Sequence, residues 1–372
     1  MKKMFAFLAL AIGLMLLLVS LNSADEDRTQ PVIPNLSPAP TFSVSTVPLN
    51  SDVNPYGVAF VPKDFRGGEP LRPGDILVSN FNDQNNTQGT GTTIVRVTPE
   101  GNVSLFFSGK AGLGLTTALG VLKAGFVLVG NLPSPTGTCT PDTNGQELGV
   151  GMGSLIILNR DGQIVKTLAD AQFLDGPWDL AVRDLGDYAQ IFVSNALNGT
   201  VTRLDLRIPE SGDDVEVVGE TRIASGYLHR CDPAALVVGP TGLAYDRLSD
   251  TLFVASTGDN AIFAIPHAGY THQDEGMGKT VYRDDAHLRG PLALVLAPNG
   301  DLLTSNGDAI NPNPNQPSEI IEFTQQGMFV AEFSVDPSQG AAFGMALQSS
   351  EDQIQFAAVD DGTNMLDVWK IK

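Results

Sequence analysis

The chain holds 372 residues, with 42 Asp and Glu against 22 Lys and Arg and a formal charge of −20. That length admits two average domains or one large all-β domain. So negative a surface repels phosphate backbones and anionic lipid; it argues against nucleic acid and favours divalent cations or cationic and neutral ligands.

Residues 1–24 read as an export leader. Lys2 and Lys3 give the positive start, Phe5 to Val19 an uncharged apolar stretch, and Ser20, Asn22, Ser23 and Ala24 a small and polar end. The stretch is short for a membrane span. No Cys follows it, so a lipoprotein route has no support. An uncleaved anchor is the alternative, because Asn22-Ser23-Ala24 is an imperfect cleavage site. Cleavage predicts an exported, periplasmic or secreted protein with no stable membrane span. Losing Lys2 and Lys3 with a leader that holds no acid takes the charge from −20 to −22. Residues 25–40 (DEDRTQPVIPNLSPAP) are acidic, then Pro-rich, and read as a flexible linker.

The remainder repeats itself. The first element is a short apolar strand, usually begun by Pro: NPYGVAF (54–60), TTALGVL (116–122), GPWDLAV (176–182), GPTGLAY (239–245), GPLALVL (290–296) and AAFGMAL (341–347). Pro cannot donate to a ladder, so it belongs just before a strand. The second element is GDILVSN (74–80), GFVLVGN (125–131), AQIFVSN (189–195), TLFVAST (251–257), GDLLTSN (300–306) and IQFAAVD (354–360). Both faces are largely apolar, as in a strand between stacked sheets. A hairpin follows, turning on Gly101, Gly162 and Gly327, and on Asn198-Gly199 in the third copy.

Four strands at this spacing predict an all-β, six-bladed β-propeller. The blades fall at about 52–108, 112–169, 173–224, 234–284, 287–335 and 340–372. The sixth ends after its third strand. Residues 41–49 (TFSVSTVPL) are expected to supply the fourth and so close the ring.

One column ends the second strands: Asn80, Asn131, Asn195, Thr257, Asn306 and Asp360. It is expected to ring one mouth of the central channel. The functional reading is a polar ring for a hard cation such as calcium, or for a small polar ligand. The plainer reading is a set of strand-end caps that recur because the fold recurs. Long loops at 81–91, 132–153 and 307–317 belong to the same face, which also suits a protein partner. Cys139 and Cys231 both fall there, and in an exported protein they form one disulfide or stay two thiols.

Asp179 and Trp178 stand where other copies carry Gly57, Gly242 or Gly344, so an acid is expected to face the channel mouth. His229 and His287 are candidate bases or ligands, or plain surface residues. No nucleophile elbow, H-E-x-x-H helix or P-loop is present.

The copies GPTGLAYD…DTLFVASTGDNAIFAI and GPLALVLAPNGDLLTSN resemble NHL-repeat propellers and the regucalcin and gluconolactonase superfamily. The lactonase branch implies a divalent metal in the channel, held by one Glu, Asn residues and an Asp. By position, Asn131, Asn195 and Asn306 would be oxygen ligands, with Asp360 or Asp179 as the carboxylate. Where that branch has its Glu, this chain has Asn54, Pro55 and Tyr56. Its catalytic Asp would fall near Asp259. Two readings follow: a binding or scaffold propeller, or a metal-dependent hydrolase or lactonase.

Overall fold

A computed structural model describes residues 30–141, 147–209, 212, 214–307, 319–337, 340–350 and 353–371. Residues 1–24, expected as a leader, lie outside the described residues, as do 25–29. No described helix is long and apolar enough to cross a membrane.

Six four-stranded antiparallel sheets form the body. Blade 1 holds Val53–Phe60, Ile76–Asn82, Thr93–Val97 and Val103–Ser108. Blade 2 holds Leu115–Val121, Phe126–Asn131, Ser154–Asn159 and Ile164–Leu168. Blade 3 holds Pro177–Asp184, Tyr188–Asn195, Thr200–Arg207 and Glu216–Ser225. Blade 4 holds Pro240–Asp246, Thr251–Ser256, Ala261–Pro266 and Lys279–Tyr282. Blade 5 holds Pro291–Leu296, Leu302–Asn306, Glu319–Phe323 and Phe329–Ser334. In blade 6, Ala342–Ser349, Ile354–Asp360 and Met365–Ile371 are joined by Phe42–Ser45 from the start of the propeller. Phe42 pairs with Val368 and Ser45 with Met365. The first strand of each blade packs on that of the next, and Ala342–Ser349 packs back on Val53–Phe60, which closes the circle.

Burial follows strand rank. Second strands such as Ile76–Asn82 and Phe126–Asn131 are buried throughout, between neighbouring sheets. Outer strands such as Phe329–Ser334 alternate towards solvent. Hairpin glycines Gly101, Gly162 and Gly327 take φ of +84°, +74° and +81°, which only Gly adopts without strain.

All six first strands carry a bulge at one level, at Pro55/Val58, Leu115/Leu119, Pro177/Leu180, Pro240/Leu243, Pro291/Leu294 and Ala342/Met345. The extra residues bring backbones of adjacent blades together. A Cβ on Gly344 would lie 1.7 Å from the Tyr56 carbonyl oxygen, and one on Gly242 would lie 2.4 Å from that of Leu292. Small residues at this level are therefore a packing requirement.

The linker reading of 25–40 is corrected for its described part. Val32 and Ile33 are buried against Ile320, Phe356 and Trp369. Glu322 accepts their two backbone N–H groups at 2.7 Å each. The Trp369 indole donates to the Ser37 carbonyl at 3.1 Å. Burying a branched aliphatic side chain contributes about 1.5–3 kcal/mol, which offsets the ordering of a short strap. Composition alone hid this, because only two or three side chains do the anchoring.

Candidate functional site

The Asn column is buried at the strand ends, and its side chains bond within the protein; in Asn80 only the amide nitrogen does so, donating to the Thr46 carbonyl and the Thr93 hydroxyl, while its Oδ1 has no partner among the described residues. Asn131 Oδ1 accepts the Gly114 N–H at 2.8 Å while its Nδ2 donates to Ser154. Asn195 Oδ1 accepts from Asp175 N–H at 3.1 Å, and its Nδ2 donates to the Phe173 carbonyl and to the Thr200 and Thr202 hydroxyls. Asn306 Oδ1 accepts from Arg289 N–H, and Nδ2 donates to the His287 carbonyl. Asp360 accepts from the Thr363 N–H and hydroxyl. Each side chain thus ties the segment before a first strand, or a following turn, to the end of a second strand.

Thr257 is corrected. Strand pairing places Pro55 opposite Asn80, Pro177 opposite Asn195 and Pro240 opposite Ser256, so Ser256 is the blade 4 equivalent. The copy TLFVAST runs one residue further along the strand than the others. Ser256 Oγ donates to Asp259, whose carboxylate also accepts the Leu228 N–H at 3.0 Å. Asp259 thereby does in blade 4 what the asparagines do elsewhere.

The metal set implied by position consists of side chains that already bond within the protein. The carbonyl oxygens of Asn131, Asn195 and Asn306 each already accept one backbone N–H, from Gly114, Asp175 and Arg289. Among the described residues there is no group of three or more His, Cys, Asp or Glu that could hold a metal ion.

A different set surrounds the mouth. A cavity of about 170 Å³ is lined by Asn54, Tyr56, Asn82, Gln88, Trp178 and Asp361, among others. Four buried polar atoms of this lining have no hydrogen-bond partner among the described residues: Asn54 Oδ1, Asn82 Oδ1, Gln88 Oε1 and Trp178 Nε1. Asn82 is 1% exposed and Trp178 2%. Leaving a buried polar group unpaired costs about 1–3 kcal/mol, so such atoms point to an absent partner. Asn82 is held from behind, its Nδ2 donating to Asn86 at 2.7 Å.

The floor of the mouth is aromatic. Tyr56 stacks between Phe81 at 4.7 Å and Phe343 at 4.5 Å, and Trp178 meets Tyr56 and Phe81 edge-on. A hairpin, Arg230–Asp232 paired with Leu236–Val238, lies over this floor. Leu236 is 1% exposed and has φ of +64°. That conformation costs a branched residue about 1–2 kcal/mol, which burial of the side chain offsets. Cys139 and Cys231 form a disulfide, with Cα atoms 5.1 Å apart, joining this hairpin to the loop after the second strand of blade 2. The Gln88 amide donates to the Ala234 carbonyl at 2.7 Å.

Asp179 lies below the mouth rather than at it. Its Oδ1 accepts the Leu180 N–H at 2.8 Å and its Oδ2 the Leu243 N–H of the next blade at 3.0 Å. Burial pushes its pKa up to about 7, against those two bonds. It touches a second cavity, of about 150 Å³, inside the channel.

The two histidines do not join either cavity. His229 is exposed. His287 pairs through Nδ1 with Asp284 at 2.5 Å and stacks on Phe329. Burial opposes ionisation of Asp284, but bonds from His287, the Ala286 N–H and Tyr282 bring its pKa down to about 2. A cavity of about 800 Å³ lies by Arg66, Arg160 and Asp187 between blades 2 and 3, away from the channel.

No protein-family model matches the chain, and no curated protein matches it in sequence. Solved structures do match in chain path. A gluconolactonase from Xanthomonas campestris is 14% identical, with 91% of this chain and 100% of that one covered at a TM-score of 0.49. A calcium-binding regucalcin from Agrobacterium tumefaciens is 11% identical, with 84% of each chain covered and a TM-score of 0.49. A streptogramin B lyase is 13% identical, covering 88% and 97% at 0.46. The structural neighbours are thus of the gluconolactonase and regucalcin kind, and this chain is itself a six-bladed β-propeller by its own sheets. At these identities the likeness stops at the fold.

Proposed function

We propose that this is an exported, periplasmic or secreted binding propeller that holds a small polar ligand in the mouth cavity. One observation carries the reading: four residues that line one small cavity floored by aromatic rings each hold a buried polar atom without a hydrogen-bond partner among the described residues. Three carbonyl oxygens call for donors and one indole N–H calls for an acceptor. A neutral ligand bearing both, with an apolar face for Tyr56 and Trp178, matches that set. The test is calorimetric titration of the mature chain with a panel of small polyols, amides and lactones. A hit that weakens at least about tenfold in Asn82→Ala and Trp178→Phe supports the reading. A hit indifferent to both substitutions, or no hit at all, removes it.

The second reading is a divalent-metal-dependent lactonase or esterase; a gluconolactonase from Xanthomonas campestris is among the structural neighbours. What supports it is the oxygen at the mouth: Asn54, Asn82 and Gln88 carbonyls with the Asp361 carboxylate suit a hard cation better than the Asn column does. Such a cation would polarise a substrate carbonyl. Calcium titration and a lactone and ester hydrolysis panel decide between the two readings. Turnover lost on chelation favours the second, and calcium-independent binding without turnover favours the first.

A further inference from the structure

Beneath the aromatic floor the six bulges place one apolar residue from every blade at one level. These are Val58, Leu119, Leu180, Leu243, Leu294 and Met345, the first paired residues beyond each bulge. All six line the inner cavity of about 150 Å³. A cavity of that size takes up a benzene-sized guest elsewhere in protein chemistry. Asp179 is the only titratable residue in this lining. Gly344 and Ala293 line the same level in blades 6 and 5, where no side chain competes for the carboxylate.

Each Asp179 oxygen accepts one backbone N–H, from Leu180 or from Leu243. A carboxylate has about four acceptor positions, so two remain. Asp179 is only part-buried, and the exposure it keeps is to the channel cavity that it lines. The result is a chamber ringed by six apolar side chains, with Asp179 as its one anionic acceptor and the Thr117 hydroxyl already donating to the Trp178 carbonyl, in a protein whose net charge of −20 draws cations.

We infer that the inner channel is a second binding site, separate from the mouth, for a small primary ammonium with a compact hydrocarbon body. The ammonium donates to Asp179, and the hydrocarbon body fills the ring of Val58, Leu119, Leu180, Leu243, Leu294 and Met345. Six apolar walls exclude a strongly hydrated ion such as calcium, which would need further oxygen ligands. The charge excludes carboxylates. The volume admits a guest of about six to eight heavy atoms.

The probe is isobutylammonium or benzylammonium chloride, titrated calorimetrically into the mature full chain at pH 8, with isobutanol and benzyl alcohol as neutral counterparts. We expect one guest per chain. Binding weakens at least about tenfold in Asp179→Asn, and also at pH 5, where the carboxyl takes up its proton. Leu294→Trp fills the chamber from blade 5, leaves Asp179 in place and abolishes binding. Circular dichroism checks that each variant is folded, and if Asp179→Asn unfolds, Leu294→Trp and the pH dependence still decide. The mouth variant Asn82→Ala leaves ammonium binding unchanged. Absence of ammonium binding, equal binding of the neutral counterparts, or binding untouched by Leu294→Trp overturns the inference.

Discussion

The Asp179 carboxylate accepts the Leu243 N–H at 3.0 Å across the seam between blades 3 and 4. At three other seams that level holds a glycine, Gly57, Gly242 or Gly344, set close against backbone of the next blade. Asp179 therefore replaces a backbone contact with an ionisable one, and stability becomes linked to its protonation. Its folded pKa, about 7, lies above the unfolded value of about 3.9. Between those values the folded state binds more protons than the unfolded one, so this group's contribution falls as pH rises from about 4 to 7. Above pH 7 the loss is complete. Asp179→Asn should flatten that slope. Urea titrations at pH 5 and pH 8 should show the variant gaining on the wild type at pH 8 by on the order of 1–3 kcal/mol, discounted for water in the channel. A difference that does not change with pH would remove Asp179 from the account.

Asn195 tests the column as architecture. Its amide accepts from Asp175 and donates to Phe173, Thr200 and Thr202. Asn195→Ala strands one buried N–H and one carbonyl, and is expected to cost about 2–4 kcal/mol. Ligand or calcium binding at the mouth should stay within about twofold of the wild type in the folded variant. Loss of stability and binding in parallel, with the fold intact, would return Asn195 to the ligand site.

The six-bladed ring was legible because the same strands recur with the same punctuation, and Phe42–Ser45 fills the place that the short sixth copy leaves. The site was legible only in part. Trp178 and Asp179 stood out as departures from glycine-bearing copies, and the long loop 81–91 did contain Asn82 and Gln88. Nothing in the sequence said which asparagines were satisfied, because that depends on backbone groups far along the chain, such as Gly114 for Asn131. The one-residue offset that set Thr257 in the place of Ser256 has the same origin: register is fixed by pairing with Pro240, not by counting. The bulges escaped as well, since two residues opposite one, or three opposite one in blade 2, leave no mark in an apolar run.

Gly344 carries a sharper test of the bulge level. Its φ is not in the left-handed region, so the argument is steric alone. A methyl group there would sit 1.7 Å from the Tyr56 carbonyl oxygen, which belongs to backbone and cannot swing away. Gly344→Ala must push blade 6 from blade 1 at the seam that Phe42–Ser45 helps to close. We expect a loss of at least about 3 kcal/mol, measured by urea unfolding, or failure to accumulate as folded protein. By contrast, alanine at Gly112, which has open space around its Cβ position but φ of +97°, should cost only about 1 kcal/mol.

The hairpin over the mouth is held at two points of different chemistry. The Cys139–Cys231 disulfide closes a loop with a sequence separation of 92, and Leu236 anchors the tip in the aromatic floor. Paired substitution Cys139→Ala with Cys231→Ala should cost about 2–5 kcal/mol, mainly by freeing the unfolded chain. It should leave the mouth covered, because Leu236 stays buried. Leu236→Ala should cost about 2–4 kcal/mol for lost burial. It should also loosen the cover, because the left-handed backbone at this position is kept in place by that burial. Hydrogen exchange of the 230–238 amides separates the two effects. Faster exchange in Leu236→Ala than in the cysteine variant means that the apolar anchor, not the covalent tie, keeps the mouth closed. The reverse order would assign that role to the disulfide, and reducing agent alone would then open the site.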